Sequence, residues 1–265
     1  MMNTSAKNIP TALITGASSG IGKALAENFA KDGYHLVLPG RGVAKMQALA
    51  DELQRRYSIT ATVIGVDLET SEGATQLYAE VKRRGIVISA LVNNAGYGSF
   101  GEFKDSPLAP ELAMMQLNMT TVVVLTKLFM PDLLATRGKV LNTASTAAFQ
   151  PGPYMAVYYA TKAFVLSFSE ATASELEGSG VTVTALCPGP TASGFQDKAD
   201  MHASALVKGK KLPTAQAVAA EGYRAMKRGQ RVFIPGAMNW LMAQSVRFTP
   251  RNMVASMVKA MSKPA

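Results

Sequence analysis

Short apolar runs alternate with longer amphipathic stretches along this chain, and nothing else in the sequence constrains its fold as strongly. Thr11–Thr15, Tyr34–Leu38, Ala61–Val66, Ile88–Val92, Lys139–Thr143, Val181–Leu186 and Arg231–Ile234 have the length and content of strands. Between them, Gly20–Asp32, Ala44–Tyr57, Ser71–Arg84, Leu108–Leu134, Tyr158–Glu177 and Thr214–Arg228 read as helices; Leu49, Leu53 and Tyr57 share one face. Leu108–Leu134 is apolar nearly all round its middle. Near-continuous apolar strands separated by helices predict a doubly wound α/β fold, a parallel sheet covered on both faces. No linker or low-complexity tract interrupts the pattern, so one domain over residues 1–265 is expected.

Composition narrows the function. A hydrophobic content of 48% suits a sizeable core. A single cysteine excludes a disulfide framework and a Cys-rich zinc site, and neither His35 nor His202 has partners that suggest a metal. The N-terminus MMNTSAKNIP lacks the apolar centre of a secretory signal, so a cytoplasmic setting is expected. No run reads as a membrane span; the nearest, Val232–Val246, is broken by Pro235, Gly236, Asn239, Gln244 and Ser245. The net charge is +9, yet residues 198–265 alone hold 12 basic and 2 acidic side chains. Nucleic acid, a membrane surface, an acidic partner or a plain solvated face would each account for that excess.

The first strand runs directly into Thr15-Gly16-Ala17-Ser18-Ser19-Gly20-Ile21-Gly22 and then a helix. A glycine-rich turn there aims backbone N–H groups and a helix N-terminus at a pyrophosphate; the alternative is a tight turn with no ligand. The spacing G-x-x-x-G-x-G differs from both the common dinucleotide fingerprint and the ATP P-loop. Strand two ends Leu38-Pro39-Gly40-Arg41, without the acid that would bond a ribose 2′-hydroxyl. Arg41 either pairs with a 2′-phosphate, which favours NADP over NAD, or is simply exposed. Asp67 and Leu68 end strand three, where Asp67 suits an adenine amino group or a helix cap. Asn94, Ala95 and Gly96 leave strand four as a small-residue turn that lets a ligand approach the backbone.

Tyr-x-x-x-Lys places a phenol and an ammonium one helical turn apart, and a nearby cation favours the phenolate. The pattern occurs three times, at Tyr78/Lys82, Tyr158/Lys162 and Tyr223/Lys227. Only Tyr158 is preceded thirteen residues earlier by a serine at a strand end, Ser145. The other two lie within amphipathic helices and read as surface pairs. Asn118 sits in the apolar stretch MMQLNMTTVVVL, where a buried amide must be bonded, either within the core or at a site. Cys187, with no histidine beside it, reads as a buried strand residue rather than a nucleophile.

Together TGASSGIG (Thr15–Gly22), NNAG (Asn93–Gly96), Asn118, Ser145, Tyr158-x-x-x-Lys162 and PGP with Thr191 (Pro188–Thr191) resemble the short-chain dehydrogenase/reductase family. They fall in order over nearly the whole chain. The resemblance implies a Rossmann domain whose seven-stranded sheet runs 3-2-1-4-5-6-7. It implies an NADPH-dependent oxidoreductase that moves a hydride between nicotinamide and a carbonyl or secondary alcohol. Tyr158 would be the general acid or base, Lys162 would bind the nicotinamide ribose and lower the Tyr158 pKa, Ser145 would hold the substrate oxygen, and Asn118 would support the proton relay. Gly16, Ser18, Ser19, Gly20, Ile21 and Gly22 would line the pyrophosphate. Arg41 would meet the 2′-phosphate, Asp67 and Leu68 the adenine, and Asn94, Ala95 and Gly96 the ribose. Pro188, Gly189 and Thr191 would border the nicotinamide. The loop lacks the basic residue before Gly20 that some NADP-using members carry, so the cofactor preference rests on Arg41. A catalytically idle dinucleotide-binding sensor on the same fold is the alternative; the full Asn-Ser-Tyr-Lys set argues against it.

Three regions bear on partners. The aperiodic segment 191–213 leaves a strand end and reads as a substrate lid. A basic C-terminal extension spans 235–265, and Met238, Trp240, Leu241 and Met242, like Phe195, Met201, Leu206 and Val207 in the lid, suit a lipophilic substrate (fatty-acyl, sphingoid or steroid-like) or ordinary packing. Met253, Met257 and Met261, beside Val254 and Val258, suggest core or subunit packing, with peripheral membrane docking as the minority reading. The resemblance implies a homodimer or homotetramer through Leu108–Leu134 and the Tyr158 helix. With a dinucleotide and a carbonyl accounting for the fold, no nucleic acid partner is expected, and the basic rim suits an acidic carrier, a CoA-type phosphate or an anionic lipid surface.

Overall fold

Alternate residues of the central strands face opposite layers, as the apolar strands require. The computed structural model describes residues 9–193 and 212–262. In chain order its elements are β1 (Thr11–Ile14), α1 (Gly20–Lys31), β2 (His35–Gly40), α2 (Val43–Tyr57), β3 (Ala61–Gly65), α3 (Gly73–Arg83) and β4 (Ala90–Asn93). Then come α4 (Leu108–Met115), α5 (Thr121–Thr136), β5 (Lys139–Thr143), α6 (Ala156–Glu175), β6 (Thr182–Leu186), α7 (Ala215–Lys227), β7 (Val232–Phe233), α8 (Ala237–Ser245) and α9 (Arg251–Ser262). The seven strands form one parallel sheet in the order β3-β2-β1-β4-β5-β6-β7. Ala12, Ile14, Leu36, Leu38, Ala90 and Val92 pack into one layer with α1, α2 and α7. Leu13, Val37, Leu91 and Val140 point the other way, against α3 and α5. Phe29 of α1 meets the Tyr223 ring of α7 edge-on at 4.8 Å, and burying such a side chain stabilises by about 1.5–3 kcal/mol.

The structure refines several expectations. The long helix expected at Leu108–Leu134 is interrupted at Gln116–Thr120 by a π-helical turn that contains Asn118. The continuous stretch Leu108–Thr136, rather than Val232–Val246, is the one described helix long and apolar enough to cross a membrane. It packs against the sheet through Leu125, Phe129 and Leu133. Its Asp132 bonds Lys82 and accepts the Ile88 N–H at 2.9 Å, ties that belong to a core helix. Tyr223 is not a surface residue: its ring is buried and its hydroxyl donates to Asp32 at 2.8 Å, beside the Lys227–Asp32 ion pair. Tyr78 is half-buried against Phe129. The expected lid at 191–213, with its lysines, lies outside the described residues over 194–211.

Candidate active site

The carboxyl ends of β1 to β6 open onto one cleft of about 430 Å³. It is lined by the glycine loop, by Arg41, Asp67 and Leu68, by Asn94, Ala95 and Gly96, by Ser145, Tyr158 and Lys162, and by Pro188, Gly189 and Thr191. Sequence positions up to 175 residues apart therefore meet at one sheet edge, as ligand sites do in open parallel sheets.

The glycine loop is folded back on the end of β4. Gly16 has φ +69°, a left-handed conformation that glycine adopts without a Cβ penalty. Gly22 packs so closely beneath it that a Cβ there would lie 2.2 Å from the Gly16 carbonyl oxygen and 2.4 Å from Asn94 Nδ2. Asn94 Nδ2 donates to the carbonyls of Thr15 and Gly16 at 3.1 and 3.4 Å. Thr15 Oγ1 accepts the N–H groups of Asn94 and Ala95 at 3.0 and 2.9 Å. Thr15 is thus a positioning residue that sequence reasoning missed; its signal was only a hydroxyl at a strand end. The helix that follows has no side-chain cap from Ser19 and no acid in its first turn. Its first N–H groups and its positive dipole end are left for an anion.

Arg41 is exposed and paired. Its guanidinium pairs with Glu69 Oε1 at 3.0 Å and lies 3.8 Å from Asp67 Oδ2. Asp67 Oδ1 accepts the Glu69 N–H at 3.0 Å, closing a local turn after β3. A second cation, Lys45 in the first turn of α2, lines the same end of the cleft.

The other end holds the hydroxyls. Ser145 caps a short 3₁₀ turn over Thr146–Phe149, accepting the Ala147 N–H at 3.1 Å and donating to the Pro188 carbonyl at 3.4 Å. Its hydroxyl is also bonded to that of Tyr158. Tyr158 lies in the first turn of α6, and Lys162, one turn on, donates from Nζ to the Thr143 carbonyl at 2.8 Å. Lys162 Nζ sits 5.8 Å from the Tyr158 ring centroid. Burial dominates both groups: it raises the Tyr158 phenol well above the ordinary tyrosine range, against the Ser145 hydrogen bond, and it pushes Lys162 down to about 8. The phenol is therefore held as a proton donor in this pocket rather than as a phenolate.

Asn118 does not line the cleft; it holds the wall in place. Its amide donates to the Tyr97 carbonyl at 2.9 Å and to Thr161 Oγ1 at 3.1 Å, and accepts the Tyr97 N–H at 3.3 Å. Thr161 in turn donates to the Tyr158 carbonyl at 2.7 Å. The π-helical turn supplies the local departure from α-helical spacing at this residue. Nearby, Tyr154 takes a left-handed φ of +68°, strained for a non-glycine residue, just before the cleft residue Met155. Cys187 is fully buried and its thiol is pushed up to about 12 by burial, so it is no nucleophile. Among the described residues no cluster of three or more His, Cys, Asp or Glu side chains is placed to hold a metal.

Residues 10–203 match the family model described as short chain dehydrogenase. The chain belongs to the short-chain dehydrogenase family. A 7beta-hydroxysteroid dehydrogenase of Collinsella aerofaciens is 32% identical to it over 191 residues, 72% of either chain. A very-long-chain 3-oxoacyl-CoA reductase of Anas platyrhynchos is 34% identical over 184 residues, 67% of this chain and 58% of the reductase. A solved short-chain dehydrogenase from Sphingobium yanoikuyae in complex with NADPH superposes with a TM-score of 0.81 at 29% identity, covering 91% of this chain and 94% of that one. This short-chain dehydrogenase is accordingly an oxidoreductase that acts on alcohol or carbonyl groups with a nicotinamide dinucleotide. Its uncapped helix, glycine loop and small-residue β4 end fit such a cofactor.

Proposed function

We propose that this enzyme is an NADPH-linked reductase of lipophilic ketones, with Tyr158 as its proton donor. The observation that carries the reading is the hydroxyl pair of Ser145 and Tyr158 beside buried Lys162, at the opposite end of the cleft from the two cations Arg41 and Lys45. When bound, the nicotinamide supplies the hydride. The chain's own residues do the rest. Gly16, Ser18, Ser19, Gly20, Ile21, Gly22 and the α1 N-terminus hold the pyrophosphate. Asp67 and Leu68 border the adenine, and Asn94, Ala95 and Gly96 the ribose. Pro188, Gly189 and Thr191 border the nicotinamide. Ser145 would orient the substrate oxygen and Tyr158 would give it a proton; Lys162, one helical turn on, would stabilise the phenolate left behind until a proton from solvent replaces the one transferred. Asn118 acts as a positioning residue through Thr161.

Support for NADP over NAD comes from Arg41 and Lys45, and from the NADPH held by the Sphingobium enzyme. A carboxylate already faces Arg41, so a 2′-phosphate would have to draw its guanidinium from Glu69. Support for a lipophilic substrate comes from Met155, Tyr97, Leu117 and Tyr159 along the cleft, from a 240 Å³ side pocket that shares Met155, and from the steroid and acyl-CoA substrates named for the relatives. A homodimer through α5 and α6 remains part of the reading; Leu134 and Phe164 of these helices are exposed.

Steady-state kinetics with NADPH and NADH against a panel of steroid, acyl and small ketones tests the proposal. The double variant R41A/K45A should raise KM for NADPH roughly 10- to 100-fold, the loss of one or two charge-assisted bonds, and leave NADH within a few-fold. Equal loss with both cofactors would sink the NADP assignment, and turnover confined to small polar aldehydes would sink the substrate class.

A further inference from the structure

The two C-terminal helices are built unlike the rest of the chain. Residues 235–262 contain Arg247, Arg251 and Lys259 and no acid, and all three cations are exposed. The same segment exposes Phe248 (88%), Met238 (68%), Leu241, Met257, Trp240 (54%) and Met253. Of the stretch expected to serve core or subunit packing, Val254 and Val258 are buried in the core, while Met253, Met257 and Met261 are exposed. In α9 the inner face is therefore Val254 and Val258, packed with Val246 against Tyr158, Tyr159 and Met155 of the catalytic wall. Ser262 is buried in the last turn of the same helix. The outer surface offers flexible and aromatic apolar side chains interleaved with cations.

We propose that α8 and α9 form a docking surface for an anionic lipid bilayer. An amphipathic helix with basic residues beside its apolar stripe partitions into the interfacial plane of such a membrane, the apolar side chains entering and the cations meeting headgroups. Charge decides between this occupant and a second copy of the chain. A two-fold interface through this face would bring two copies of a patch carrying Arg247, Arg251 and Lys259 together, with no carboxylate in the described part of the segment to offset them. An anionic surface complements all three. The inner face ties the docked helix to the wall that holds Tyr158, so a lipid-soluble substrate would leave the bilayer beside the cleft. The docking itself does not depend on the redox reading and is measured without turnover.

Trp240 is the only tryptophan in the chain, so its fluorescence reports this surface alone. The full-length protein is titrated with phosphatidylcholine vesicles with and without phosphatidylglycerol, some carrying brominated acyl chains. The expected result is a blue shift and bromine quenching with the anionic vesicles, co-sedimentation, and weakening by salt. R247Q/R251Q/K259Q should lower partitioning roughly 100-fold, at about fivefold per cation. F248S should lower it about 10-fold or more. Both should keep wild-type turnover of a water-soluble ketone and the same melting temperature, since these side chains are exposed. Three results would overturn the proposal: no spectral change on anionic vesicles, partitioning of the triple variant equal to wild type, or a concentration-dependent dimer that shields Trp240 and excludes vesicles.

Discussion

Replacing Gly22 with alanine tests how the cofactor loop is held. A Cβ at this position would come within 2.2 Å of the Gly16 carbonyl oxygen and 2.4 Å of Asn94 Nδ2. Non-bonded carbon contacts settle near 3.5 Å, so loop and helix must part by about 1 Å. Overpacking of this kind costs about 1–3 kcal/mol, which in a chain of this size lowers Tm by roughly 3–10 °C. The displaced atoms belong to the phosphate loop and to the asparagine that ties it to β4. Binding should therefore suffer beyond stability, with Kd for NADPH rising at least about 10-fold, or ~1.4 kcal/mol. Gly33→Ala is the control. Gly33 has φ +79° and nothing within 4 Å of its would-be Cβ. Alanine there costs about 1–2 kcal/mol of backbone strain and should leave NADPH affinity unchanged. Urea melts and NADPH fluorescence titrations of both variants supply the comparison. Wild-type NADPH affinity in Gly22→Ala, at any stability, would refute the argument that close packing at Gly22 shapes the cofactor site.

Three further outcomes follow from the geometry. Lys162→Met should stabilise the cofactor-free protein at pH 7, because burial holds the ammonium at about 8 against its ordinary 10.5. A cation whose folded pKa is depressed costs stability below the folded value, so the gain, roughly 3–4 kcal/mol before the lost Thr143 bond is counted, should fade between pH 8 and 10.5; a pH-independent difference in urea melts would contradict this. Tyr223→Phe should lose about 1 kcal/mol with the Asp32 bond and keep full turnover, since this Tyr-x-x-x-Lys pair braces α1 against α7 far from the cleft; a kinetic defect at unchanged stability would contradict it. Cys187, fully buried with its thiol near 12, should resist iodoacetamide in the native protein at pH 8, and rapid labelling by mass spectrometry would contradict that burial.

What was legible in the sequence followed from periodicity and from residues whose chemistry is unusual in place. Apolar strands without alternation gave the two-sided parallel sheet, and the ordered motifs gave the site at its edge. Asn118 stood out because an amide in an apolar helix needs partners, but the partners, Tyr97 in the loop after β4 and Thr161 of α6, depend on how the π-helical turn packs against that loop and against α6, which no local pattern encodes. Tyr223 reads as a surface residue by helical spacing and is buried because α1 and α7 meet over its ring. The Arg41–Glu69 pair joins the ends of two strands, and Thr15 acts across to the end of β4. Such contacts are set by which strands become neighbours. The methionine stripe of α9 shows the reverse limit: spacing located a face correctly, but only the fold shows which of two adjacent faces is covered.

The central claim is that the Tyr158 hydroxyl delivers the proton while the cleft binds cofactor independently of it. Single-turnover absorbance at the nicotinamide band with Tyr158→Phe, alongside an NADPH titration, tests both halves at once. Loss of a general acid costs about 10²- to 10⁴-fold in rate, so hydride transfer to a ketone should fall by at least that factor while Kd for NADPH stays within a few-fold. A variant that oxidises NADPH at a near wild-type rate would contradict the account.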